Sequence, residues 1–109
     1  MPRKANHKTD RATIARFDQI INVGPATSDD FVRMGIGTPQ ALIGQDPVKL
    51  YQQVCKLDQQ FHDPCVLDVF MATVDYMNGN RPQTWWSYTP ERKKRYARHV
   101  EALRVKFGR

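Results

Sequence analysis

The chain has only two cysteines, Cys55 and Cys65, among its 109 residues. Two thiols cannot build the dense disulfide framework of a small secreted protein, and in a reducing cytosol we expect both to stay free. No stretch approaches the roughly 20 apolar residues that cross a bilayer, and the first residues lack the apolar segment of a secretory signal. The sequence therefore predicts a cytoplasmic protein without a membrane partner.

The sequence also lacks the residue patterns of common catalytic sites. Gly24 is not followed by the Gly-Lys-Ser or Gly-Lys-Thr of a nucleotide-binding loop. Asp68 and Asp75 share a helix face, but they would lie about 10 Å apart along the axis, which favours a polar stripe over an acid–base pair. We therefore expect a non-enzymatic protein with no catalytic residues, no cofactor and no small-molecule substrate.

The charged residues are segregated along the chain. Residues 1–16 carry five Lys or Arg and one acid, and residues 91–109 carry eight Lys or Arg and two acids. Residues 17–90 carry four Lys or Arg against eight Asp, so the ends are basic and the body is acidic. Basic ends favour a polyanion such as nucleic acid, and the alternative interpretation is a solubilising tail with a solvated helix face.

Proline and glycine predict where the helices start and stop. A capping Thr or Asp precedes proline four times, and glycine follows several periodic segments. The predicted helices span residues 10–21, 26–34, 39–43, 47–58, 64–78 and 90–107, and no alternating strand pattern competes. The expected fold is all-α, a compact bundle of five to six helices with the apolar 64–78 helix at its centre.

The same signals predict how the chain is organised. Residues 1–9 are polar and aperiodic, which predicts a disordered basic arm. Residues 10–88 form the predicted helical domain, with a helix-hairpin-helix element near its N-terminal end. Residues 89–109 are predicted to form a basic amphipathic C-terminal helix that packs on this domain.

Residues 21–36, Ile-Asn-Val-Gly-Pro-Ala-Thr-Ser-Asp-Asp-Phe-Val-Arg-Met-Gly-Ile, resemble the helix-hairpin-helix motif, in which a tight turn joins two short helices. Such a turn needs positive φ, which glycine adopts without strain, and it exposes N–H groups at the start of the second helix. Those groups can bind a phosphate without reading a base. The residues expected to contact a nucleic-acid backbone are Val23, Gly24, Pro25, Ala26 and Thr27.

Two departures from the motif favour the alternative that the hairpin is only a packing device. Asn22 stands where the motif usually has its first glycine, although asparagine tolerates the left-handed region better than most residues. Asp29 and Asp30 are expected in the first turn of the second helix, where they would repel a phosphate.

Residues 80–88 form a polar loop that carries Trp85 and Trp86. Indole rings stack on unpaired bases, and Arg81 lies close by in the sequence to hold a phosphate, so base stacking is one interpretation of the pair. The alternative is that the rings close one end of a small core.

Cys55, His62 and Cys65 are the candidates for a metal or redox site. Their spacing does not match the common zinc patterns, because neither cysteine belongs to a Cys-x-x-Cys pair. We therefore predict no metal site and two cysteines that act as small apolar residues, with a stress-induced disulfide as the alternative.

Several strings of the sequence resemble one known family. They are Gly-Gln-Asp-Pro-Val-Lys-Leu-Tyr at 44–51, Asp-Pro-Cys-Val-Leu-Asp-Val-Phe at 63–70, Tyr-Met-Asn-Gly at 76–79 and the Trp85–Trp86 pair. Together they are similar to the Cdd1-type "pathogenicity locus" family of small bacterial helix-hairpin-helix proteins, some of them labelled mitomycin-resistance proteins. The resemblance covers roughly residues 12–88 and implies a bacterial protein with a helical fold, but no catalytic residues.

The expected function is weak nucleic-acid binding through backbone phosphates, with DNA favoured over RNA as the partner. The cations expected to supply the attraction lie after the shared region and are Arg92, Lys93, Lys94, Arg95 and Arg98. The alternative is a protein-interaction or homodimer module, in which the stripe of Tyr96, Val100 and Leu103 contacts another protein.

Overall fold

The computed structural model describes residues 4–108, and these residues form five α-helices joined by loops and single 3₁₀ turns. The helices are α1 (Pro25–Arg33), α2 (Pro47–Asp58), α3 (Cys65–Met77), α4 (Thr89–Arg95) and α5 (Ala97–Phe107). The 3₁₀ turns are Arg11–Thr13, Phe17–Gln19, Pro39–Leu42 and Trp85–Tyr88. No strand occurs within residues 4–108, which confirms the all-α prediction. None of the five helices is long and apolar enough to cross a membrane.

The centre of the molecule is α3, as its apolar sequence predicts. Nine of its thirteen residues are buried, and it packs against α2, α4 and two of the 3₁₀ turns. Phe70 meets Phe31 of α1 at 5.4 Å between ring centroids, and Phe31 meets Phe17 at 5.2 Å. This line of rings joins the N-terminal third of the chain to the central helix.

α2 begins and ends where its sequence signals predict. The Asp46 side chain accepts a hydrogen bond from the Val48 N–H, and Pro47 occupies the first helical position. The helix ends at Gln59, which adopts the left-handed conformation with φ of 48°. A glutamine, rather than the usual glycine, therefore terminates this helix.

The predicted helix over residues 10–21 is wrong, because the segment forms two separate 3₁₀ turns. Side chains bind the backbone groups that a helix would pair. Asp10 caps the N–H of Ala12 at 3.0 Å, and the Gln19 side chain accepts from the N–H groups of Ala15 and Arg16. Side-chain hydrogen bonds to the backbone compete with the hydrogen bonds of an α-helix, and in this segment they replace them.

The predicted C-terminal helix over residues 90–107 is interrupted. Tyr96 leaves the helical region, with φ of −120° and ψ of 13°, and separates α4 from α5. α4 packs on α3, whereas α5 packs on α2. The break therefore divides the basic C-terminal segment between two helices that pack on different parts of the protein.

Residues 4–6, part of the segment predicted to be a disordered arm, make hydrogen bonds with the rest of the chain. Residues 1–3 lie outside the described residues. The Lys4 ammonium donates to main-chain carbonyls of residues 18, 20 and 23, and the Ala5 N–H donates to the Gln19 carbonyl at 2.6 Å. The Asn6 carbonyl accepts from the Tyr76 hydroxyl at 2.8 Å. Residues 4–6 are thus bound to the body of the protein.

Candidate nucleic-acid interface

The turn before α1 has its left-handed residue at Asn22, where φ is 77°. Gly24, in contrast, is extended with φ of −109°, and a Cβ added there would meet no atom within 4 Å. The expectation that glycine supplies the positive φ of this turn is therefore wrong. The absence of a side chain at Gly24 leaves open space in front of the helix instead.

The start of α1 offers N–H groups to a ligand. Gly24 caps the helix without any side-chain hydrogen bond. Ala26 and Thr27 are the second and third helical residues, so their N–H groups have no carbonyl one turn earlier to bind. Pro25 has no N–H to offer, but it is exposed at the first helical position. The available donors are the backbone groups that a phosphate prefers.

Val23 does not belong to this donor set. Its side chain is buried in the core. Its N–H donates to the Ile20 carbonyl at 3.2 Å, and its own carbonyl accepts from Lys4 at 3.1 Å. The expectation that Val23 contacts a phosphate is corrected, because both of its backbone groups are already bonded.

The two acids that would repel a phosphate lie farther along α1 than expected. Because α1 begins at Pro25, Asp29 and Asp30 are its fifth and sixth residues and the first turn contains no acid. Asp30 also pairs with Arg33 at 2.8 Å. Its charge is compensated by that contact, which reduces the repulsion expected at the start of the helix.

Asn22 connects the turn to the tryptophan loop. Its side-chain N–H donates to the Gln83 carbonyl at 2.9 Å, and its side-chain oxygen accepts from the Trp85 N–H at 3.2 Å. The loop continues directly into α4 through the 3₁₀ turn Trp85–Tyr88. Three segments that the sequence singles out separately are therefore adjacent in the fold.

The two tryptophans have different environments. Trp85 is half-buried and packs against the core, whereas the Trp86 residue is 60% exposed. Their rings meet edge to face, with centroids 5.5 Å apart. The interpretation of the pair as a core plug holds for Trp85 and not for Trp86.

Arg92 is not available to a nucleic acid, contrary to the sequence prediction. Its side chain is 11% exposed and donates to Asp68 through Nε at 2.8 Å, and the Asp68 side chain is completely buried. Thr89 donates to the same carboxylate at 2.6 Å. Both acids of the predicted polar stripe have partners, because Asp68 anchors α4 from within the core and Asp75 accepts from the Tyr88 hydroxyl at 2.5 Å.

The other predicted cations of this region lie on the surface. Lys93, Lys94, Arg95 and Arg98 are all exposed. Arg95 approaches Glu91 at 3.8 Å and lies over the Tyr96 ring at 5.1 Å. Within residues 4–108, no ion pair involves Lys93, Lys94 or Arg98. These three side chains keep their charge free for an external anion.

The stripe proposed for a protein partner faces the protein's own body. Leu103 is buried, and Tyr96, Val100 and Phe107 are partly buried against the core. The part of α5 that is available to a partner is the opposite side, where Val105 is 70% exposed.

Cys55 and Cys65 are both free thiols in the structure, and neither forms a disulfide. Burial raises the pKa of both the Cys55 and the Cys65 thiol, which opposes formation of the reactive thiolate. The His62 ring nitrogen contacts an Asp58 oxygen at 2.7 Å. Among the residues described, no three Cys, His, Asp or Glu side chains are grouped to share an ion.

Sequence reasoning missed Lys4 and the bridging role of Asn22. Nothing in the sequence signals the Lys4 contacts, because they depend on a turn formed 14 to 19 residues later. The Asp68 contact was detectable, since an acid in a helix that is apolar nearly all round needs a buried partner.

Comparison with known proteins agrees with this description at the level of the family. Residues 10–94 match the family described as "Pathogenicity locus", so the match includes Arg92 and most of α4 and extends beyond the shared region inferred from the sequence. A protein of Streptomyces lavendulae named mitomycin resistance protein McrB is 41% identical over 75 residues, which cover 69% of this chain and 71% of that protein. No solved structure shows a significant match. The chain belongs to the pathogenicity locus family.

Proposed function

We propose that this protein is a non-enzymatic, cytoplasmic nucleic-acid-binding protein that contacts backbone phosphates with little sequence specificity. Its contact residues are those at the open start of α1 and the exposed cations of α4 and α5. They are Gly24, Ala26, Thr27, Lys93, Lys94, Arg95 and Arg98.

The observation that carries the proposal is the bridge made by Asn22. It joins an uncapped helix start to the loop that leads into the basic helix α4. An uncapped helix start binds a phosphate with its N–H groups, and lysine and arginine add non-specific attraction. The hairpin therefore acts as a phosphate contact in this proposal, even though its first helix is replaced by the 3₁₀ turn Phe17–Gln19.

The name of the Streptomyces lavendulae relative gives the proposal a biological setting. That protein is named for mitomycin resistance. We propose the same role for this chain, and DNA as its first ligand to test. Survival of a host under mitomycin, with and without the expressed chain, measures this role independently of binding.

The binding test uses two glycines that tolerate a side chain. Gly24 and Gly37 both have φ outside the left-handed region, and an added Cβ at either would meet nothing within 4 Å. Gly24→Val places a branched side chain where a phosphate would approach, and Gly37→Val is the matched control. Fluorescence anisotropy with labelled duplex and single-stranded DNA, at about 50 and about 200 mM salt, measures the affinities.

We expect the wild type to bind DNA in a salt-sensitive way. Gly24→Val should lower the affinity for DNA about tenfold, and Gly37→Val should leave it unchanged. Equal affinities for the two variants would remove the helix start from the interface. If the wild type binds no DNA even at the lower salt, the nucleic-acid proposal is wrong.

A second candidate function is self-association through α5. A groove of about 730 Å³ lies between the end of α2 and α5 and is lined in part by Phe61, Val105 and Phe107. Val105 is 70% exposed and Phe61 and Phe107 are partly buried, so the groove has an apolar wall of several side chains, which favours a protein contact. Sedimentation of the wild type and of Val105→Asp tests this candidate, which requires a dimer that the substitution dissociates.

A further inference from the structure

Trp86 is the one aromatic side chain among the large exposed hydrophobic residues of the described chain. The others are Val32, Ile43, Leu57 and Val105, which are aliphatic. A solvent-exposed indole loses the hydrophobic stabilisation that burial would give it, so its position needs a functional reason more than a single exposed valine does.

The geometry leaves one face of the Trp86 ring open. Trp85 and Trp86 meet with an interplanar angle of 87°, so the contact covers at most one face of Trp86. With the residue 60% exposed, the other face is presented to solvent. Trp85 is itself fixed by its backbone bond to Asn22 and by the core behind it. The open ring is thus held on a supported loop.

The residues that precede and follow Trp86 along the chain are polar and cationic. Thr84 and Ser87 on either side of the pair bond to each other through their hydroxyls at 3.0 Å. The exposed Arg81 lies in the same loop, and the exposed Lys93 and Lys94 lie on α4, the helix that follows. A ring on a loop that is flanked by exposed cations along the chain is suited to a ligand that combines a flat base with negative charge.

We propose that Trp86 is a stacking platform for one unpaired base, and that the preferred ligand of this protein is therefore single-stranded nucleic acid. This inference rests on the proposed function, because the phosphates of the same strand would bind the start of α1 and the cations of α4. A duplex hides the faces of its bases within its own stack, so it can use the phosphate contacts but not the ring.

The test separates the base from the backbone. The probes are a labelled oligothymidine of about 12 nucleotides, an oligonucleotide of the same length and charge with abasic residues, and a duplex of the same sequence. The proteins are the wild type, Trp86→Ala, Trp86→Phe and the control Ile43→Ala, which removes a different exposed apolar side chain. Circular dichroism checks that each variant is folded.

We expect Trp86→Ala to weaken binding of the oligothymidine by about 5- to 100-fold and Trp86→Phe to weaken it less. Removing the bases from the probe should weaken wild-type binding by a similar factor. Trp86→Ala should then have no further effect on the abasic probe, because the partner of the ring is already missing. Ile43→Ala should leave binding of the oligothymidine unchanged, and Trp86→Ala should leave binding of the duplex unchanged.

A second readout reports the stacking directly. In a Trp85→Phe variant, Trp86 is the sole tryptophan of the chain. Stacking should quench its fluorescence with the oligothymidine and not with the abasic probe.

The outcomes distinguish this inference from the proposed function. Salt-sensitive binding that is equal for the oligothymidine and the abasic probe would overturn base stacking and leave phosphate binding intact. Absence of binding to every probe would overturn both. An equal loss with both probes for Trp86→Ala would assign the ring to the support of the loop instead of the ligand.

Discussion

The inner and outer sides of α4 both carry positive charge, but the inner charge binds a buried carboxylate and the outer charges face solvent. On the inner side, Arg92 is 11% exposed and binds the buried Asp68. On the outer side, Lys93 and Lys94 are exposed and make no ion pair within the described chain. Neighbours in one basic run are thus divided between holding the fold together and facing solvent.

The comparison shows why a count of charges overstates a nucleic-acid interface. Lys4 donates to three main-chain carbonyls, and Arg11 donates to the carbonyls of Tyr76 and Asn80. Arg33 bridges Asp30 and Asp58. These cations bind acceptors of the protein itself, so they contribute less to a ligand than their number in the sequence predicts.

The largest effect should come from breaking the inner contact. Arg92→Met leaves the Asp68 carboxylate buried without its cationic partner, and we expect the free energy of unfolding to fall by about 3–5 kcal/mol. Urea denaturation measures the loss. Lys93→Met, one residue away on the outer side, is the control and should change stability by less than about 0.5 kcal/mol. Similar losses for the two variants would abolish the distinction between the sides.

The outer side is tested by affinity rather than stability. Replacing Lys93, Lys94 and Arg98 with Gln should lower DNA affinity by about tenfold and reduce the slope of log affinity against log salt by about 1 for each phosphate interaction that is removed. The fold should be unaffected. Lys49→Gln and Lys56→Gln, which remove exposed cations from α2, form the control. A slope unchanged by the triple substitution would contradict the assignment of these cations to the interface.

Lys4 should behave like an inner cation despite its position near the chain end. Lys4→Met removes charged hydrogen bonds to three carbonyls around the turn, and we expect a loss of about 1 kcal/mol in the free energy of unfolding. Lys8→Met is the matched control, since no hydrogen bond of the Lys8 side chain occurs among the described residues. An equal stability of the two variants would place Lys4 with the outer cations.

The smallest effect should come from the half-exposed pair of Arg33 and Asp58. Hydrogen bonds from Arg33 lower the pKa of Asp58 from its usual 3.8 to about 2. Its contribution to stability is therefore present above about pH 4 and is lost as the pH falls towards 2. Because Arg33 is 44% exposed, solvent screens the pair, and Asp58→Asn should cost less than about 1 kcal/mol at neutral pH.

Denaturation of the wild type and Asp58→Asn at a series of pH values measures this contribution. The two stabilities should converge as the pH approaches 2, because protonated Asp58 has lost its charge. A difference that stays constant down to that pH would assign the effect of the substitution to packing.

The sequence predicted the central helices well because their signals are local. The helix predicted at 47–58 is α2 residue for residue, and that predicted at 64–78 is α3 to within one residue at each end. A capping side chain before proline and an apolar face are both encoded within the segment. The helix predicted at residues 10–21 was wrong because some of the side chains that bind the backbone of this segment come from elsewhere in the chain. One of them is Gln40.

The candidate site was predictable in its parts and not in its arrangement. Composition indicates a basic segment and an aromatic loop, but nothing in the pattern separates Arg92 from Lys93 or Trp85 from Trp86. Those distinctions depend on which side of a helix or loop faces α3. The break between α4 and α5 at Tyr96 was also missed, because no proline or glycine signals it in the sequence. Asn22 was noted as a departure from a motif, whereas its amide is what joins the turn to the loop.

The long reach of the contacts made by the N-terminal segment has a consequence for biosynthesis. Asn6, Arg11 and Asn22 bind residues that lie 61 to 70 positions later in the chain. On the ribosome these partners emerge well after the segment itself, when the neighbouring helices α2 and α3 can already pair. We therefore expect this segment to reach its final structure after α2 and α3, and nascent chains arrested before Trp85 should leave it sensitive to protease.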